Sequence, residues 1–170
     1  LFSVIQNRTK DFFGGDLTVK YGSMDHSAAI AGAFRAVWSD IELLNCWPHL
    51  GRKSREKKGL LSDTQVNGDI IKPQLDQLEN ARSREQFFAL SELVTQNWRD
   101  QRQRRYAKWF DEQYLTDPWD LWFITASNVA GIVPNQNPIE AHHSAIKKVA
   151  AGHLQAAISH VLAVTLPKIV

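Results

Sequence analysis

Leu17-Thr18-Val19-Lys20-Tyr21-Gly22-Ser23, then Asp25-His26-Ser27, then Ile41-Glu42-Leu43-Leu44-Asn45-Cys46-Trp47-Pro48-His49, are the segments that decide the fold. Leu17, Val19 and Tyr21 alternate with polar residues, the period-two pattern of a half-buried strand. Gly22-Ser23 then reads as a turn. From Ser27 onward, Ile30, Phe34, Val37, Trp38 and Ile41 recur at a helical period. Ile41 to Cys46 is a short apolar run of strand length. Strand, helix, strand in this order predicts a βαβ unit with two parallel strands.

Outward from this unit the chain is helical. Residues 1–15 read as a helix stopped by Gly14-Gly15. A basic helix is expected from His49 to about Leu61. Ile70, Ile71, Leu75 and Leu78 mark an amphipathic stretch with Pro73 near its start. Phe87, Leu90, Val94 and Trp98, followed by Tyr106 and Phe110, mark a longer one, interrupted by the polar run Gln101 to Arg105. Trp98, Trp109, Trp119 and Trp122 concentrate aromatic area here, and packing between helices is the favoured reading. Asn128 to Asn137 is a loop rich in Asn, Gly and Pro. A helix is expected from Pro138 to about Ala151, stopped at Gly152, and a last one from His153 to about Thr165. The fold class is α/β with dominant helices, in three regions: 1–62, 63–127 and 128–170.

Composition narrows the class. The 170 residues are 44% hydrophobic and 22% charged, the profile of a soluble globular protein. No run approaches the roughly 20 apolar residues of a membrane span, and no signal peptide is visible. The first residue is Leu, so the chain reads as a piece of a longer polypeptide. The single cysteine, Cys46, allows no internal disulfide and fits a reducing compartment, cytosol or nucleus. Net charge is only +2, yet it is unevenly spread. Arg52, Lys53, Arg55, Lys57 and Lys58 stand against the one acid Glu56. Arg99, Arg102, Arg104, Arg105 and Lys108 form a second basic segment. Such patches attract phosphates, and solvated helix faces are the equally weighted alternative.

Several residues could carry chemistry. Asp25 follows a strand, where carboxylates face the crevice of a parallel sheet. On position alone, service at the start of the next helix is the favoured reading. Asn135-Gln136-Asn137-Pro138-Ile139-Glu140 opens a helix, with Asn137 as N-cap and Glu140 positioned for a capping box. A first-turn glutamate can cap and still present an oxygen outward. Cys46 and His49 have the spacing of half a zinc site. Completing it needs His142, His143, His153 or His160 through the fold, so zinc is not expected. Lys147 and Lys148, one turn beyond the His pair, could reach a phosphate.

An acid, then a C-x-x-H, then a distant N-P-x-E resembles the motif order of Mutator-like element transposases. Here it reads Asp25-His26-Ser27-Ala28-Ala29-Ile30, Cys46-Trp47-Pro48-His49 and Asn135-Gln136-Asn137-Pro138-Ile139-Glu140, and it covers about residues 16 to 150. The resemblance implies a partial RNase H-like core with few strands, interrupted by an all-helical insertion. It implies a DDE enzyme that cleaves DNA and transfers strands, with Asp25 as second acid, Glu140 as third, and His49 with Cys46 beside them. Asn137 would support the site from the helix start. Mg²⁺ or Mn²⁺ would be the cofactor, bound by Asp25 and Glu140. DNA, both transposon ends and target, would be the partner, met by Arg52, Lys53, Arg55, Lys57, Arg102, Arg104, Arg105 and Lys147. The family further implies a nuclear location and leaves room for a homo-oligomer. Its first Asp belongs on an opening strand, and Asp11 and Asp16 lie too close to Asp25 to replace it. These residues alone are therefore expected to show little or no catalysis. A non-catalytic DNA-binding module and a zinc-stabilised helical interaction module are the alternatives.

Overall fold

The first helix, α1 (Phe2–Phe13), ends at Gly14, whose φ of 72° is left-handed. Glycine suits that cap because it has no Cβ to strain there. The computed structural model describes residues 1–137, together with 141 and 144. After α1 come β1 (Tyr21–Met24), α2 (Ala28–Arg35), β2 (Glu42–Asn45) and α3 (Trp47–Glu56). A 3-10 turn (Lys58–Leu60) and a π turn (Asn67–Ile71) lead into α4 (Lys72–Glu79), followed by α5 (Arg84–Asp100) and α6 (Arg104–Tyr114). Among the described residues, helix dominates and the sheet is one parallel pair, β1 beside β2.

The strand–helix–strand order thus holds, while its bounds shift. β1 begins where the expected strand ends, because its extent is set by its partner: Tyr21 pairs with Glu42 and Met24 with Asn45. Gly22 is no turn. It lies mid-strand, and a Cβ there would stand 3.1 Å from Ile41 Cδ1 and 3.3 Å from Phe34 Cζ. Glycine is used for close approach, so that α2 can seat Phe34 on the sheet. Ser27 caps α2, its Oγ accepting from the Ile30 N–H at 3.4 Å. The helix stops at Arg35, short of the expected Ile41. Trp38 instead turns inward and donates its indole N–H to the Leu17 carbonyl at 2.9 Å.

Alternation along the strands covers both faces of the sheet. On one side Met24, Leu43, Ala31 and Ile41 form a small core with Phe34 and Trp38 packed against it. On the other, Leu44 joins Leu50, Leu75, Phe87, Trp98, Phe110 and Trp122 in a larger one. The helices between residues 63 and 127 therefore share a core with β2 and α3. Trp98, Trp122, Tyr106, Phe87, Phe110 and Phe123 are all fully buried there. Each such side chain contributes about 1.5–3 kcal/mol on leaving water. Phe87 stacks on Phe123 at 4.1 Å and meets Trp122 edge-on at 4.9 Å.

The single long amphipathic stretch expected through Phe110 is two helices. The chain turns at Arg102, φ 62°, between α5 and α6. Gln103, only 2% exposed, is the reason. Its Oε1 accepts from the Ser62 N–H at 2.8 Å and its Nε2 donates to Ser62 Oγ at 2.7 Å. A polar residue read as a gap in a stripe is an inward anchor for the loop after α3. Glu140, His142, His143, Lys147, His153 and His160, with most of the expected final helices, lie outside the described residues.

Candidate functional site

The register of the strand pair continues one step past its last rung. Cys46 donates its N–H to the Met24 carbonyl at 3.0 Å, which brings Asp25 alongside Cys46. Cys46 is also the N-cap of α3, with Pro48 in the first turn, where a ring without an N–H costs nothing. Residues three apart on a helix share a face, so His49 returns to the side of Cys46. His49 Nδ1 lies 2.9 Å from Asp25 Oδ1. One ligand atom each from Asp25, Cys46 and His49 falls within 4.8 Å of the others. The side chain of Asp25 is 50% exposed and that of His49 14%. Cys46 is buried. The carboxylate faces solvent, the imidazole is mostly sheltered, and the sulfur belongs to the wall.

These residues line a cleft of about 180 Å³. Asn45 forms one edge. Its Nδ2 donates to the Pro118 carbonyl at 2.8 Å, which fixes the amide orientation. Its Oδ1 is buried with no hydrogen-bond partner among the described residues. An unsatisfied buried oxygen costs about 1–3 kcal/mol, so this edge favours a donor. His26 and Tyr114 form another edge. The His26 ring lies 4.0 Å from that of Trp119 and meets Tyr114 edge-on at 5.2 Å. Loss of water around the ring, and secondarily the charge of Lys53, hold its pKa below 6.5. Burial, with a smaller push from Glu56, raises the Tyr114 hydroxyl to about 12. Both groups are therefore neutral at neutral pH.

Arg52 and Lys53, on α3, supply the cationic edge of the cleft. Lys53 Nζ also meets Glu56 Oε2 at 2.8 Å. Arg55 and Lys57 are exposed further along, as are Arg102, Arg104 and Arg105 around the start of α6. Ser54 faces inward and shares a buried 2.7 Å hydrogen bond with the Tyr106 hydroxyl. That bond ties the two basic segments together, although about fifty residues separate them.

Of the residues singled out from the sequence, the fold gathers Asp25, Cys46, His49, Arg52 and Lys53 at one cleft. Asn137 is exposed. Glu140 and Lys147 lie outside the described residues. Sequence reasoning gave no role to His26, Asn45 or Tyr114, and placed Trp119 only in packing between helices. His26 sits beside Asp25 in every reading of the motif, yet only Tyr114, the last residue of α6, and Trp119, in the segment after it, give it a setting. No helix among the described residues is long and apolar enough to cross a membrane. No known protein family, curated protein or solved structure matches this chain.

Proposed function

We propose that this chain carries part of the catalytic core of a Mutator-like element transposase, an RNase H-like DDE fold that cleaves DNA and transfers its strands. On this reading α4 to α6 belong to an all-helical insertion. One observation carries the proposal: His49 Nδ1 stands 2.9 Å from Asp25 Oδ1 at the carboxyl ends of two parallel strands. Ligands of open α/β sheets bind outside those ends. A motif order that places an acid after one strand and a C-x-x-H after its neighbour is supported by their meeting there.

Asp25 is then the second acid, and Glu140 the third. A half-exposed carboxylate offers the hard oxygen donors that Mg²⁺ or Mn²⁺ prefers. Held there as a pair, one metal ion would activate a water or a DNA 3′-hydroxyl and the other would stabilise the leaving oxygen of the phosphodiester. His49, with its Nδ1 2.9 Å from Asp25 Oδ1, stands beside that acid. Arg52 and Lys53 receive the phosphate beside it. Arg55, Lys57, Arg102, Arg104 and Arg105 attract the rest of the backbone without reading sequence. A nucleus as the place of action, and assembly with further copies on transposon ends, follow from the same reading.

Titrating Mn²⁺ by electron paramagnetic resonance, in the presence of duplex DNA, tests the proposal. The expected result is saturable binding that Asp25→Asn weakens at least tenfold. Equal titration of the two proteins would sink it. The exposed basic surface supports a second reading, a DNA-binding module without catalysis. Binding that falls steeply with salt and is indifferent to chelator would favour that one.

A further inference from the structure

We infer that Asp25, Cys46 and His49 form a binding site for a soft divalent cation, zinc foremost, and that zinc there disfavours magnesium at Asp25. The binding site stands on geometry alone. Its consequence for magnesium rests on the transposase reading.

The donor set argues for the ion. A thiolate, an imidazole and a carboxylate are the three donor types zinc takes, whereas magnesium avoids sulfur and nitrogen. From the sequence, Cys46 and His49 were half of a site with its completion left to distant histidines. The strand register supplies Asp25 as the third ligand. Tetrahedral zinc bonds of roughly 2.0–2.3 Å place ligand atoms roughly 3.2–3.8 Å apart. The ligand atoms here run from 2.9 Å, between His49 and Asp25, to no more than 4.8 Å. Side-chain rotations of roughly an ångström close that difference.

The backbone holds the site ready. Cys46 and His49 are fixed by one turn of α3, and Asp25 by the strand pair. Binding replaces the S–H bond of Cys46 by a metal–sulfur bond and releases the proton to solvent. Three protein ligands leave a fourth position toward the cleft, where water completes an open zinc site. The buried Oδ1 of Asn45, on the same cleft and without a partner among the described residues, is an acceptor for that water. Zinc on Asp25 takes up the carboxylate charge that magnesium needs and sets a second dication beside it, so zinc disfavours magnesium there.

Cobalt is the probe, added to reduced, tag-free protein. We expect a near-ultraviolet thiolate-to-cobalt charge-transfer band at one equivalent, bleached by one equivalent of Zn²⁺. Cys46→Ser should abolish the band and His49→Gln should weaken cobalt binding at least tenfold, with helical circular dichroism retained. Absence of the band in the unmodified protein overturns the inference, whether or not either variant folds. One equivalent of Zn²⁺ should also remove the Mn²⁺ resonance signature of binding. A cobalt band in a protein that never binds Mn²⁺ would uphold the zinc site and defeat the transposase reading. Mn²⁺ binding at Asp25 without a cobalt band would do the reverse.

Discussion

His26 shows how much a neighbour chosen by the fold changes a residue. Its ring rests on Trp119 and against Tyr114, and both desolvation and Lys53 disfavour its charged form. A histidine whose folded pKa lies below 6.5 binds fewer protons in the folded chain than in the unfolded one. Its contribution to stability is complete above 6.5 and is lost as pH falls through the folded value. Thermal melts at pH 7.5 and 5.0 should therefore show a larger drop for the native protein than for His26→Gln. Equal drops would mean that the aromatic packing does not disfavour the charged ring. Asp25, one residue earlier, is exposed like His26 but meets an imidazole rather than an aromatic wall.

At the level of elements, the corner between α5 and α6 is the decisive joint. Gln103 is buried with its amide engaged at Ser62 and at the Gln101 carbonyl. Gln103→Leu keeps most of the volume but strands the Ser62 N–H. The expected loss is about 1–2 kcal/mol, the net worth of the hydrogen bonds lost at a buried side chain whose partner Ser62 is itself exposed. A urea titration with a lowered midpoint and unchanged slope would report it. A change under about 0.5 kcal/mol, the range of ordinary surface substitutions, would show that water reaches this corner. The consequence extends to the cleft, because the loop held by Gln103 leads from α3, which carries Cys46, His49, Arg52 and Lys53.

Across the described molecule, two charge segments distant in sequence are joined through Ser54 and Tyr106. If DNA follows this basic surface, each phosphate contact contributes about 0.9 to the slope of log affinity against log salt. Replacing Arg52 and Lys53 together with alanine should lower the slope by about 2. Fluorescence anisotropy on unrelated duplexes at several salt concentrations would measure it, and the loss should be alike for each sequence. An unchanged slope would remove these two residues from any nucleic-acid contact.

What the sequence determined by itself was local. The strand–helix–strand order, the Ser27 cap and the helical stripes arise from hydrogen-bond periods that repeat within a few residues. The C-x-x-H spacing likewise places Cys46 and His49 on one helical face. Tertiary structure alone decided that Gly22 is a point of close approach, that Gln103 turns the chain, and that Asn45 faces a cleft. It alone set the register that brings Asp25 to Cys46, and it delivered Tyr114 and Trp119 to His26. These contacts join segments tens of residues apart. Such pairings are fixed by the shape of the buried core and by strand partners, and neither is written in any short window of the chain.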